Sequence, residues 1–186
     1  MQPELFTIGH STHSLEDFLA LLARHDIEAL ADIRRFPGSR KYPHFNADQL
    51  GPALQRVGIE YRWLEALGGR RGKQRDASDG VLRNGGLRNE SFRNYADYMA
   101  SEEFQAGLEQ LLELARQKRT AYMCSEGLFW RCHRRLVSDP LLARGYSVQH
   151  IMPAGKLQGH ALTQEARVDD AAVSYPPADA DQSRLF

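Results

Sequence analysis

The chemistry-bearing residues are densest in one segment, Cys124-Ser125-Glu126-Gly127-Leu128-Phe129-Trp130-Arg131-Cys132-His133-Arg134-Arg135. A thiol leaves a predicted strand, a carboxylate follows two residues later, and a Cys-His-Arg triplet opens a predicted helix. A helix N-terminus with flanking arginines lowers a thiol pKa and attracts anions. Three functional readings follow. Arg131, Arg134 and the helix N–H groups could cradle a phosphate or carboxylate. Cys132 or His133 could be catalytic, with Glu126 orienting or exchanging protons. Cys124, Cys132 and His133, with Glu126, could hold a metal, although this spacing is not a common zinc pattern. The strand–Cys–loop–Arg order is similar to phosphatase-type loops, but Leu128, Phe129 and Trp130 are bulky where small phosphate-cradling residues are needed. The structural alternative is a buried core Cys124 with Glu126 paired to an arginine. Helical neighbours diverge by about 100°, so Cys132 and His133 are not expected to face one point closely.

Two more polar clusters follow predicted strands. Gly9-His10-Ser11-Thr12 leaves His10 and Ser11 free for a ligand, because Ser14 is the better helix cap. In Asp32-Ile33-Arg34, strand alternation puts Asp32 and Arg34 on one face. They can form a buried ion pair, or Arg34 with Arg40 can hold an anionic ligand. Ser39 and His44 add donors in the adjoining loop. The stretch Leu67–Asn94 carries seven Lys/Arg against three acids. Its Arg70, Arg71, Lys73 and Arg75 suit nucleic-acid phosphates, although the Gly-Lys-Ser/Thr of a Walker loop does not occur. The terminal Gln182-Ser183-Arg184-Leu185-Phe186 resembles the short peptide that bacterial proteins use to dock on the replication sliding clamp. There Leu185 and Phe186 would be the apolar anchors and Gln182 the hydrogen-bonding group.

These clusters need a scaffold. Leu5–Gly9, Ile27–Ile33, Ile59–Trp63, Thr120–Cys124 and Tyr146–Met152 read as strands. Between them, Ser14-Leu15-Glu16-Asp17 resembles a capping box opening a helix with Phe18, Leu19 and Leu22 on one face. Asn46 is placed to cap a second helix that Gly58 stops. Ser91–Met99 and Phe104–Ala115 are helical patterns, as is Arg131–Ala143, closed by Gly145. Leu67–Asn89 holds six glycines and reads as a long functional or disordered loop. Alternating strands and helices predict an α/β fold, a three-layer, Rossmann-like domain with a mainly parallel sheet over residues 1–153. In such sheets ligands sit at the carboxyl ends of strands where the order reverses. That rule selects the loops Gly9–His13, Asp32–Phe45 and Cys124–His133. From Pro153 the periodicity stops, and residues 154–186 read as a flexible tail.

The chain has 186 residues, 42% hydrophobic and 26% charged, with net charge +0. That charge balance gives no global polyanion-binding signature. No apolar run approaches the roughly 20 residues of a membrane span, and no secretory signal is evident. Two cysteines do not make a secreted disulfide framework. A cytoplasmic protein without a membrane partner is expected. No cofactor is indicated.

Taken in order, Ile8-Gly9-His10-Ser11, Asp32-Ile33-Arg34 with Pro37, Ser39-Arg40, Leu67-Gly68-Gly69, Phe92–Met99, and Cys124-x-Glu126 before Cys132-His133-Arg134 resemble one bacterial and archaeal family, the domain of unknown function 488. The resemblance spans about Leu5 to Met152 and implies that the polar strand ends recur together, with no activity attached. The leading expectation is an enzyme acting on a phosphorylated, nucleotide or nucleic-acid ligand in DNA maintenance. His10, Glu126, Cys132 and His133 would be catalytic, and Ser11, Asp32, Arg34, Ser39, Arg40 and Arg134 would bind anions. The alternatives are a nucleic-acid and sliding-clamp adaptor, and a thiol-redox or metal-binding protein.

Overall fold

A computed structural model describes residues 2–74 and 83–178. The strands are β1 (Glu4–Gly9), β2 (Ala29–Asp32), β3 (Glu60–Trp63), β4 (Thr120–Cys124), β5 (Ser147–Ile151) and β6 (Leu157–Gly159). They form one sheet in the order β3-β2-β4-β1-β5-β6, in which β6 alone is antiparallel to its neighbour. The helices are α1 (Leu15–Arg24), α2 (Ala47–Arg56), α3 (Glu90–Tyr98), α4 (Glu102–Gln117) and α5 (Arg134–Ala143). The fold is therefore the expected three-layer α/β arrangement. No helix among the described residues is long and apolar enough to cross a membrane.

The layers follow from side-chain alternation. Strands covered on both faces read as continuous apolar runs, and β4 is buried along its whole length. Phe6, Ile8, Leu30, Ala121 and Met123 point to one face, where Phe18 and Leu22 of α1 and Leu50 and Leu54 of α2 cover them. Leu5, Ala29, Ala31 and Tyr122 point to the other face. There they meet Tyr95 and Tyr98 of α3, Phe104, Leu108 and Leu111 of α4, and Leu136 and Val137 of α5. Local signals set the helix ends. Ser14 Oγ accepts the Asp17 N–H at 3.0 Å, and Gly58 and Gly145 take positive φ just past α2 and α5. Asn46 precedes α2 but does not cap it with its side chain. Its Oδ1 instead accepts the Ser39 N–H, which ties the loop after β2 to the start of α2.

The expectation of a flexible tail from residue 154 is corrected for residues 154–178. β6 extends the sheet, and β7 (Arg167–Asp169) and β8 (Ala172–Ser174) form a hairpin. The segment is held by polar anchors, which hydrophobic periodicity does not register. Asp139 of α5 accepts from His160 Nε2 at 2.8 Å, the Thr163 N–H at 3.0 Å and the Tyr175 hydroxyl at 2.7 Å. His160 Nδ1 lies 3.0 Å from His150 Nε2, and His150 Nδ1 lies 2.7 Å from Thr7 Oγ1. Arg134 Nη1 donates to that same Thr7 oxygen at 3.0 Å. With both imidazoles neutral, every donor in this buried chain points from Arg134 toward Asp139. Arg75 and the candidate clamp peptide (Gln182, Leu185 and Phe186) lie outside the described residues.

Burial, with His160 and Arg134 nearby, pushes His150 down to about 2. In the unfolded chain it titrates near its ordinary value of 6.5. The unfolded state therefore binds the extra proton first, and stability present above pH 6.5 is lost as pH falls below it. The loss approaches about 1.4 kcal/mol per pH unit for a single fully buried imidazole. Urea denaturation between pH 7 and 4.5 is expected to show a steeper stability loss for the wild type than for His150→Gln, by up to about that slope. Parallel pH profiles would contradict it.

Candidate active site

The chain leaves β1 through α1 toward β2, and leaves β4 through α5 toward β5, on the opposite side. The strand order therefore reverses between β1 and β4, which pair with Gly9 opposite Cys124. Ladder-like bonds continue past both strands, from the His10 N–H to the Cys124 carbonyl and from the Ser11 N–H to the Ser125 carbonyl, each at 3.0 Å. Ser11 sits at a φ of 47°, in the left-handed region. Glycine is required at position 9, because a Cβ there would overlap the Glu126 carbonyl oxygen. The loops after β1, β2 and β4 open around a cavity of about 650 Å³. That is the size of a small-molecule site, and its place at the strand reversal is where such sheets bind ligands.

Cys124, Cys132 and His133 form one wall of the cavity. Both cysteines are free thiols, with the Cys132 thiol donating to Cys124 Sγ at 3.0 Å. His133 Nδ1 lies 3.5 Å from Cys132 Sγ and 4.0 Å from Cys124 Sγ. His133 Nε2 lies 3.0 Å from the Ile33 carbonyl. A carbonyl only accepts, so Nε2 carries a proton, and Nδ1 is the ring nitrogen that faces the two sulfurs. The expected divergence of Cys132 and His133 is corrected. Cys132 is extended (φ −128°, ψ 152°), after a 3-10 turn over Phe129–Arg131, and the helix begins only at Arg134. His133, at the N-cap, turns its ring back so that Nδ1 reaches the Cys132 sulfur. The hydrogen bond from Cys132, with His133 and Arg134 beside it, pulls the Cys124 thiol well below its ordinary range. Burial pushes Cys132 up.

The rest of the lining is rich in cations. Arg34, Arg35, Lys41, Arg70 and Arg131 line the cavity, and Glu126 is the single carboxylate among the described lining residues. Asp32 fixes Arg34 from below, accepting from Nε at 2.9 Å and Nη2 at 2.6 Å. Nη2 also donates to the Phe45 carbonyl at 2.7 Å. Burial opposes the guanidinium charge, but the bonds and charge of Asp32 outweigh it and raise the Arg34 pKa. Tyr61 donates to Asp32 Oδ2 at 2.7 Å. Phe36, Tyr42, Phe92 and Tyr95 supply aromatic surface around the same space.

His10 is buried and stacks on Phe45 at 4.3 Å, and burial lowers its pKa to about 4. Its Nδ1 lies 3.0 Å from the Ser11 carbonyl, so Nδ1 carries the proton and Nε2 is the acceptor. Near neutral pH His10 is an uncharged acceptor facing the cavity.

Of the residues proposed from sequence, His10, Ser11, Arg34, Ser39, Arg70, Cys124, Glu126, Cys132 and His133 line this one space. The others among the described residues lie elsewhere. Asp32 is completely buried beneath Arg34. Arg40 is exposed and outside the lining. Arg134, grouped from sequence with the anion-holding arginines, is completely buried below the cavity. Its guanidinium donates to Thr7 and to the carbonyls of Glu126 and Gly127. Arg71 donates to the carbonyls of Gly68 and Glu65 and lies over the Tyr98 ring. Lys73 is exposed. Arg131, read from sequence as part of an anion cradle, lines the cavity too, and Arg35, Phe36, Lys41, Tyr42, Gly69, Phe92, Tyr95 and Ser125 line it without having been among the site residues proposed from sequence. Position 69 had a usable signal. Tyr95 and Tyr98 anchor the Leu67 and Ala66 carbonyls at 2.6 Å each, which brings the Gly-Gly pair against the site. A Cβ on Gly69 would meet His133 Nδ1 at 2.9 Å.

A family model described as "Domain of unknown function DUF488" matches residues 14–141. The match covers the loops after β2 and β4 and begins after His10 and Ser11. No curated protein and no solved structure matches the chain.

Gly9→Ala sets a methyl group against backbone atoms of Glu126 and Gly127, which cannot rotate away as a side chain could. Such overpacking typically costs about 1–3 kcal/mol. Chemical denaturation is expected to show a loss at or above the top of that range. Unchanged stability would mean that the two strand ends are less closely apposed.

Proposed function

The chain belongs to the DUF488 family, and from its site we propose that it is an enzyme acting on a small phosphorylated ligand of the nucleotide class. One observation carries this reading. At the strand reversal, five cationic side chains and four aromatic rings share a cavity of about 650 Å³ with a Cys-Cys-His wall. Clustered cations favour an anionic group, and fixed guanidinium forks favour phosphate or carboxylate. Arg34 is held in place by Asp32 before any ligand arrives, so little ordering is needed on binding. The aromatic rings offer stacking surface for a base. The cavity volume suits a mononucleotide or the end of a strand better than a duplex.

Catalysis on such a ligand needs a group that moves a proton. Glu126 is exposed and lines the cavity, with Oε1 accepting the Leu128 N–H at 3.3 Å. It serves as the general acid or base. His10, neutral and hydrogen-bonded through Nδ1, offers Nε2 as an acceptor to a ligand hydroxyl or amine. The Cys-Cys-His wall faces the reacting end.

The test is calorimetric titration of the full chain with nucleoside monophosphates, the matching nucleosides and inorganic phosphate. Lys41→Ala/Arg131→Ala removes two rim cations while leaving the Asp32–Arg34 pair intact. Nucleotide binding is expected to weaken by at least about 10- to 100-fold, since even one charged hydrogen bond contributes about 1.5–3 kcal/mol and 1.4 kcal/mol is tenfold. Nucleoside binding should not change. Glu126→Gln should keep binding and lose about 10²- to 10⁴-fold in turnover. Nucleosides binding as tightly as nucleotides, or a double variant of unchanged affinity, would overturn the reading.

A further inference from the structure

Ligation is the property of the Cys-Cys-His wall that the proposed function leaves unused. We propose that Cys124, Cys132 and His133 bind one divalent thiophilic cation of the Zn²⁺ class, with its fourth coordination position open to the cavity. The three ligand atoms all lie within 4.8 Å of one another. A tetrahedral zinc ion has bonds of about 2.3 Å to sulfur and about 2.0–2.1 Å to nitrogen, which separates its ligands by roughly 3.5–3.8 Å. The two sulfur–nitrogen separations, 3.5 and 4.0 Å, already lie close to that range. The sulfur–sulfur separation of 3.0 Å needs to open by less than about 1 Å, which a change of side-chain rotamer supplies.

The surroundings have the features that a ligand set needs. A metal-bound histidine commonly donates its other ring N–H to a carbonyl or carboxylate, which fixes the tautomer. Here the Ile33 carbonyl takes that proton and leaves Nδ1 for the ion. The Arg134 backbone N–H donates to Cys132 Sγ at 3.4 Å, an interaction that steadies a thiolate. Gly69 leaves room beside Nδ1 that a side chain would fill. Two sulfurs and an imidazole select Zn²⁺ over Mg²⁺ or Ca²⁺, which prefer oxygen. Three protein ligands with one open position are the arrangement of catalytic rather than structural zinc. On binding, the ion displaces the thiol protons to solvent, and no oxidation or reduction occurs.

The inference does not depend on the identity of the organic ligand, because it is measured on the protein and the metal alone. The full chain is stripped with chelator under reducing conditions and titrated with Zn²⁺ against a chromogenic competitor, then with Co²⁺. One ion per chain is expected, with sulfur-to-cobalt charge-transfer absorption. Cys124→Ser, Cys132→Ser and His133→Ala should each weaken Zn²⁺ binding by more than about 100-fold, beyond the 10- to 100-fold typical of removing an outer-shell partner. Zn²⁺ should also protect both thiols of the wild type from alkylation, a readout that needs no variant to fold. Substoichiometric zinc, ligand variants of unchanged affinity, or two thiols lost reversibly to a disulfide without bound metal would each overturn the proposal. Loss of nucleotide binding with zinc binding intact would instead count against the proposed function alone.

Discussion

Arg134 is a charged side chain with no exposure to water, and the geometry of the site depends on how that charge is accommodated. A buried guanidinium is stabilised by the acceptors that its donors find; both Nη groups of Arg134 find them, while Nε has none. Its partners are Thr7 on β1 and the Glu126 and Gly127 carbonyls of the loop after β4. One side chain thus joins the two strands between which the sheet order reverses. The chain then continues through Thr7, His150 and His160 to Asp139, a buried acid on the same helix as Arg134. The opposite charges lie at the two ends of a polar path that runs through the sheet and its C-terminal extension. Phe129, from the site loop, stacks on His150 with ring centroids 3.5 Å apart, which adds an apolar contact to the same joint.

The two arginines buried among the described residues have different tasks. Arg134 organises backbone from beneath and presents nothing to the cavity. Arg34 is bound to Asp32 along one edge of its guanidinium and still lines the cavity. Both are paired, yet one shapes the floor and the other furnishes the wall. The thiols and His133 sit between them, held by the Ile33 carbonyl on one side and the Arg134 N–H on the other. Such preorganisation lets a site engage a ligand or ion with little rearrangement.

Much of the scaffold was legible in the sequence. The strands around Phe6, Leu30 and Tyr122 announce themselves as short apolar runs, those around Tyr61 and Val148 as mixed polar and apolar segments between helical patterns, and the Ser14 cap announces α1. The convergence of the loops after β1, β2 and β4 follows from the topology rule once the strands are placed. What the pattern did not carry was polar. Hydrophobic periodicity ends near Met152, yet His160, Thr163 and Tyr175 fasten the following segment through Asp139. Asn46 stands where a cap belongs, but its side chain serves Ser39. Cys132 and His133 would diverge on a helix, but both precede the first turn of α5, and the His133 ring lies against the Cys132 sulfur.

By itself the sequence determined the alternation of buried strands and amphipathic helices, and therefore a three-layer domain with polar residues at its strand ends. Periodicity and capping act over a few residues, so they can be read locally. Only the tertiary structure decided which polar group faces the cavity and which is consumed inside the protein. The partners that make this decision are remote: Thr7 for Arg134 and Ile33 for His133 lie 127 and 100 positions away. Identical side chains in neighbouring motifs are sorted by contacts of that range, because a buried charge or lone pair settles wherever the folded chain supplies its complement.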